Sequence, residues 1–428
     1  MMKINILLII LVFLTFKSAA QDPLISALEE KVIEIGPVSA INKFENFKEF
    51  GELLADNKIL ALGEETHGIK EFGAFRATLI KHLVSELNYK SIVLEADFSG
   101  MVDLNDYIVY GRGQLYQALL KKGTRVFSTQ EYLELFEWLK TYNQMQPVSE
   151  RVRIYGGDGQ STMIAIDLRT KSVKPSNALS PNAVQGLKLL SIGLGQPLTK
   201  KQKDTVMMLA GEIRDEMALF PDTSIYRQSL NTLLQSIDLV TAEFTGYRRS
   251  FIRDKALADN ITWIYERDKR KTILLAHNAH IAKNPIFSDV KRAGFFLKQT
   301  YGKQYYTLGF SFFTGQFLAN DDKSREDKVF DMPEIKNKKS SEYIFSQIKI
   351  PNFILDFASA SKNPIIDDFL KQKTYSKNIG MGFRESSPDR MPGFMPLIDK
   401  FDGIAFFRVT SATSFIRIYD RIKSQTQN

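Results

Sequence analysis

Apolar positions along this chain fall into two alternating kinds of run. Short stretches rich in β-branched and aliphatic residues occupy 59–63, 91–95, 152–156, 272–276, 305–311 and 403–408. Each is almost continuously apolar rather than alternating with polar residues, the pattern of strands covered on both faces in a parallel sheet. Between them lie segments of helical period. Over 70–87, Phe72, Phe75, Leu79, Ile80, Leu83, Val84 and Leu87 fall on one stripe, because residues three and four apart share a helix face. Strands alternating with helices predict an α/β fold with a mainly parallel sheet flanked by helices. From 180 to 267 the strand signals stop and helical periods take over, as in 201–220 and 225–247. This stretch predicts a helical lobe or cap inserted into the sheet domain. The segment 320–341 is dense in Asp and Lys and reads as a solvated loop.

The first twenty residues have a different character. Lys3 gives a positive start, an apolar run covers 4–16, and Ser18-Ala19-Ala20 supplies small residues for a signal peptidase. That run is short for a membrane span, which needs roughly 20 apolar residues. Residues 1–20 are therefore expected to be a signal peptide, with the mature chain starting near Gln21 and exported, to the periplasm or beyond. No later run approaches spanning length, so the mature chain is expected to have no membrane span. It has no cysteine, which excludes disulfides, a thiolate nucleophile and cysteine-ligated zinc. The net charge of +8 is spread along the chain with no basic stripe carrying interleaved aromatics, so a nucleic-acid partner is not expected. The remaining 400 or so residues suffice for one large domain or two lobes.

One helix position breaks the pattern. Arg76 lies inside the apolar stripe of 70–87, and an unpaired buried charge is very costly, so partners for it are expected. The histidines are equally selective. Of four, three lie in two motifs that directly follow strand-like runs: Gly63-Glu64-Glu65-Thr66-His67-Gly68 and Ala276-His277-Asn278-Ala279-His280. The fourth, His82, sits in a helix pattern as packing or surface. Ligands of open parallel sheets bind at the carboxyl ends of the strands. Glu64 and His67 follow the first strand, Glu95 closes the second, Asp158 and Gln160 follow the third, and His277, Asn278 and His280 follow the fourth. These groups, with Arg76, are expected to share one cleft.

There is no G-x-S-x-G elbow and no cysteine, so the usual acyl-enzyme nucleophiles are missing. Activation of water by a histidine base remains, with a glutamate orienting the base and other His or Arg groups stabilising an oxyanion. The same side chains suit zinc or iron, although the H-E-x-x-H signature is absent. A bound metal, and a cleft that holds an iron or haem compound without turnover, stay open beside the hydrolase.

Taken together, these motifs resemble the erythromycin esterases, bacterial hydrolases that open macrolide lactone rings. The resemblance runs over about 40–415. It is carried by Leu62-Gly63-Glu64-Glu65-Thr66-His67-Gly68 with Glu71-Phe72 and Arg76, by Val93-Leu94-Glu95-Ala96 and Asn105-Asp106-Tyr107, and by Phe136-Glu137-Trp138-Leu139. Ile154-Tyr155-Gly156-Gly157-Asp158-Gly159-Gln160, Arg253-Asp254, Asn260-Ile261-Thr262-Trp263 and Ala276-His277-Asn278-Ala279-His280 continue it. Phe401-Asp402-Gly403 and Thr410-Ser411-Ala412-Thr413 complete it. The resemblance implies a carboxylic ester hydrolase acting on a small ester or lactone, with a helical lobe over the cleft and no required cofactor. It implies His67 as the base, Glu64 and Glu95 as the acids that orient it, and Arg76 as the group that holds the glutamates. It gives His277, His280, Asn278 and Asp158 to the substrate. The chain departs from the pattern at Glu65, Gly157, Gly159 and Leu275, which reshapes the cleft wall.

Overall fold

The computed structural model describes residues 22–36, 47–120, 125–162, 180–243, 246–285, 290–380, 382–384 and 393–416. The expected signal peptide lies outside them. Among the described residues twelve strands run in chain order: β1 Ile33–Glu34, β2 Ile59–Leu62, β3 Tyr89–Asp97, β4 Arg153–Asp158, β5 Lys271–Leu275, β6 Tyr305–Asp321, β7 Asp327–Met332, β8 Asn352–Asp356, β9 Lys373–Ser376, β10 Gly382–Phe383, β11 Gly393–Pro396 and β12 Gly403–Thr410. Ten of them form one sheet with the order β1-β8-β12-β6-β2-β5-β3-β4, while β7 and β10 add to β6. From β12 to β4 every neighbouring pair is parallel. The antiparallel pairs are at the edge, β12 with β8 and β8 with β1, and in the β6–β7 arm. This is an α/β fold with a mostly parallel central sheet flanked by helices.

The continuous apolar runs follow from two cores. Leu60, Leu62, Ile92, Leu94, Ile273 and Leu275 feed the core under helices Lys70–Glu86 and Gln130–Gln144. The alternate residues Ile59, Ala61, Val93 and Leu274 feed a second core beneath helices Gly246–Asp268 and Ala293–Tyr301. Side chains alternate across a strand, so a strand covered on both sides needs apolar residues at every position. Helices Pro181–Gly195, Lys200–Met217 and Ile225–Thr241 gather around a third core, with Leu190, Val206, Leu209 and Leu233 at its centre. Ser229 and Ser236 on the last of these touch Ser99 and the Gly159 carbonyl at the strand ends.

Two expectations need correction. The charged stretch 320–341 is not simply a loop. β6 continues to Asp321 and returns as β7, with Phe317 opposite Phe330 and Leu318 opposite Val329. In β7 only Phe330 and Met332 are buried, so a strand with one wet face carries the Asp and Lys that imitate a loop. The run Asn352-Phe353-Ile354-Leu355-Asp356, not expected as a strand, forms β8. Among the described residues, no helix is long and apolar enough to cross a membrane.

Candidate active site

β2, β5, β3 and β4 stand side by side and in parallel, so their carboxyl ends open onto one crevice. A cavity of about 260 Å³ lies there. His67, Glu95, Asp158 and Arg253 supply polar lining, and Val126, Leu318 and Phe415 supply apolar lining.

The loop after β2 carries the first group of charges. Glu64 bridges an imidazole and a guanidinium: one oxygen lies 2.6 Å from His67 Nδ1 and the other 2.9 Å from Arg76 Nη1. Arg76 is fully buried, at 0% exposure. Its Nη1 also donates to the Tyr132 hydroxyl at 3.1 Å, and Nη2 donates to the carbonyls of Leu62 and Ala276 at 2.8 and 3.1 Å. The arginine on the apolar stripe thus ties its helix to the ends of β2 and β5. Burial pushes the Glu64 carboxyl up, but Arg76 and then His67 outweigh it and hold the group below its usual range. Burial likewise pushes His67 down. The Glu64 charge and hydrogen bond win, and its pKa is raised. An ionised carboxylate only accepts, so a neutral His67 ring carries its proton on Nδ1, leaving the Nε2 lone pair for the cleft.

Glu95, near the end of β3, anchors the second group. Its Oε1 lies 2.7 Å from Arg253 Nη2 and 3.2 Å from His280 Nε2, and its Oε2 accepts the backbone N–H of His277 at 2.8 Å. Burial opposes its charge, yet His280 and Arg253 hold its pKa well below the usual value. Arg253 Nε and Nη2 also donate to Asp158 Oδ2, at 2.9 and 2.6 Å. On its other side, His280 Nδ1 meets Asp254 Oδ1 at 2.6 Å, and Asp254 is held in turn by Arg292 at 2.9 Å. Against the cost of burial, Asp254 and Glu95 raise His280 to about 10. At neutral pH it is an imidazolium clamped between two carboxylates.

His277 and Asn278 have other duties. His277 caps the helix Asn278–Ile281, its Nδ1 accepting the Ala279 N–H at 3.1 Å, while Nε2 donates to the Glu65 carbonyl at 2.8 Å. Burial, with His67 close by, pushes it down to about 4, so the ring is neutral with both nitrogens engaged. Asn278 spends its amide on β6, donating to the Phe310 carbonyl at 2.7 Å and accepting the Phe310 N–H at 3.0 Å. Of the residues singled out in the sequence, the structure gathers Glu64, His67, Arg76, Glu95, Asp158 and His280. It places His277 and Asn278 beneath them with their polar atoms on backbone. His82 stays on its helix, with its ring against Gly51.

The sequence motifs assign no role to Arg253 and Asp254, yet these two hold the second group together. Asp254 carries a readable signal: it shares its buried helix face with Leu257, Ala258 and Ile261, an ionisable group on an apolar stripe just as Arg76 is.

The erythromycin esterase family profile matches residues 84–410, about three-quarters of the chain. The chain belongs to the erythromycin esterase family. The family match starts after the Glu64–His67 loop, so that loop rests on its own geometry. Among curated relatives, erythromycin esterase type II of Escherichia coli is 23% identical, over 65% of this chain and 74% of that protein. Putative hydrolase YbfO of Bacillus subtilis (strain 168) is 24% identical, over 75% of this chain and 80% of that protein. Among solved structures, a succinoglycan biosynthesis protein superposes with a TM-score of 0.77 at 21% identity, covering 93% of this chain and 99% of the other. A mutant of erythromycin esterase EreC, in its open conformation, gives 0.59 at 17% identity, covering 91% and 99%. At these identities the structural likenesses speak for the family's fold alone.

Proposed function

We propose that this member of the erythromycin esterase family is an exported hydrolase that opens a small ester or lactone with water activated by His67. One observation carries the reading: Glu64 holds Nδ1 of His67 and is itself pinned by the buried Arg76, while the ring lines the cleft. In the step we envisage, the Nε2 lone pair takes a proton from water as its oxygen attacks the ester carbonyl. Glu64 stabilises the imidazolium, which then returns the proton to the leaving alkoxide. The oxyanion needs donors. Arg253 has five N–H groups; those on Nε and Nη2 go to Asp158 and Glu95. Among the described residues Nη1 meets only the Nε2 of His280, at 3.3 Å, and a protonated ring accepts nothing. The Nη1 donors therefore suit a developing negative charge at the carbonyl oxygen.

The side chains fit a resident metal poorly: His277 has no lone pair to give, and His280 holds a proton on both nitrogens. No step is assigned to a metal. The same commitments disfavour storage of haem or iron. The cavity, about 260 Å³, lies below the roughly 300–1,000 Å³ usual for drug-sized ligands. Export is supported by Lys3, the apolar run after it and Ser18-Ala19-Ala20, and the N-terminus of the secreted protein, read by mass spectrometry, tests it.

The decisive experiment screens simple esters, lactones and macrolides for the mass gain of one water, then repeats the productive substrate with His67→Gln. Loss of a general base costs about 10²–10⁴-fold, so kcat/KM should fall by at least about a hundredfold. A fall of less than about tenfold removes His67 from this role.

A further inference from the structure

Behind the catalytic loop, facing away from the cleft, lies a second group of ionisable side chains that this chemistry does not use. Glu65, between Glu64 and Thr66, is 1% exposed; Glu342 is 0%, Lys377 6% and Lys400 1% exposed. Two acids and two bases are thus sealed in one place, contributed by the loop after β2, the helix Ser341–Ser346, the segment after β9 and the helix Leu397–Lys400. Lys377 Nζ lies 4.0 Å from Glu65 Oε2 and donates to the Phe312 carbonyl. The Lys377 N–H donates to Glu342 Oε1 at 2.8 Å, and Ser311 Oγ contacts both acids at 3.4 Å. Lys400 donates to Ser376 Oγ. The space between them is about 20 Å³, little more than the roughly 10–15 Å³ that one water occupies. It holds no organic ligand.

Sealing four ionisable groups is expensive: burial pushes the Glu65 carboxyl up to about 8 and lowers both lysines, and such clusters often add little stability over an apolar replacement. The contacts of Glu65 show what this one holds in place. Its backbone carbonyl receives His277 Nε2 at 2.8 Å and the Gly380 N–H at 3.2 Å, and next to it Thr66 Oγ1 donates to the Gly380 carbonyl at 3.1 Å. The side chain of Glu65 is fastened on one side of the loop while Glu64 and His67 work on the other. A catalytic pair 2.6 Å apart depends on a supporting shell of this kind.

We infer that Glu65, Lys377, Glu342 and Lys400 are positioning residues that fix the catalytic loop so that Glu64 meets His67. The inference rests on His67 being the base, but its effect is read on the imidazole itself, whatever bond the cleft breaks. The charged and titratable groups that act most strongly on His67 are Glu64, Glu95 and Arg76, with His277 beside it; none of these belongs to the second cluster.

The test follows the four histidines by NMR titration of the full mature chain, with His67→Asn assigning the His67 signal. In the wild type His67 titrates above the ordinary imidazole value of about 6.5. Lys377→Met removes a positive charge, which by simple electrostatics leaves His67 unchanged or raises it. Loss of positioning acts the other way: the Glu64 contact loosens and the His67 pKa falls, by about half a unit or more. A fall is the expected result; no shift or a rise in folded protein overturns the inference. Should Lys377→Met fail to fold, the double variant Glu65→Gln/Lys377→Met leaves neither of these two partners charged. It should lower His67 in the same direction, and an unmoved His67 there overturns the inference equally. A merely structural role would lower the melting temperature and leave the titration alone.

Discussion

His280 binds its proton more tightly in the folded chain than in the unfolded one, because Asp254 and Glu95 flank it at 2.6 and 3.2 Å. Its folded value is about 10, against about 6.5 for an unperturbed ring. A raised pKa means that protonation favours the fold: this stabilisation is complete below pH about 6.5, declines above it, and is gone once the pH passes about 10. Urea unfolding of the wild type and of His280→Gln should therefore differ more at pH about 6 than at pH about 9.5. A gap that does not change with pH would show that the ring is not held as a cation. Single residues of this kind were unevenly legible. Arg76 betrayed itself as a charge on an apolar stripe, and the strand-end histidines as rare residues in rare places. The pairing of Glu65 with Lys377 gave no signal, since more than 300 positions separate two residues that only the fold brings together; Glu65 stood out only as a departure from the family pattern, and it faces away from the cleft instead of shaping its wall. Lys377 looks like an ordinary surface charge in its own segment.

At the scale of elements, the parallel strands were legible because burial on both faces writes itself into every position of the run. The β6–β7 arm was not, since its outer strand is half wet and half apolar. That arm has a functional joint. The carbonyl of Gly68, one residue past His67, accepts the N–H groups of Leu318 on β6 and of Thr413, at 2.9 and 3.0 Å. A Cβ on Gly68 would lie 1.8 Å from the Leu318 carbonyl oxygen, an overlap with backbone that no rotamer relieves. Gly68→Ala should cost about 1–3 kcal/mol, the usual range for overpacking, as read by urea denaturation. Since the displaced atoms lie beside His67, kcat should fall in the folded fraction as well. Unchanged stability and turnover would mean that the arm yields freely.

For the whole molecule, the sheet order decides the chemistry. Four adjacent parallel strands bring residues from 64 to 280 to one crevice, so no local motif contains the site. Sequence could point to the strand ends but not to Arg253, which arrives from a helix far along the chain and packs onto Glu95 and Asp158. If these donors work without a metal, prolonged dialysis against a chelator should leave ester hydrolysis within about twofold of its starting rate, with the metal content followed by elemental analysis. Loss of activity restored by one added ion would return the metal reading, because a required ion must be bound to act. The last described residues set a different kind of limit. Lys70 donates its N–H to the Ser411 carbonyl, Glu71 accepts from Ser411, Ile69 bridges to Ala412 and Thr129 to Phe415. The loop that carries His67 is thus latched by chain made some 340 residues later. The segment around Ser411 must leave the ribosome before the latch can close, so a chain truncated ahead of it is an unfinished catalyst. For the exported hydrolase proposed above that delay is useful, because the loop carrying His67 stays unlatched until the distant segment around Ser411 has been made.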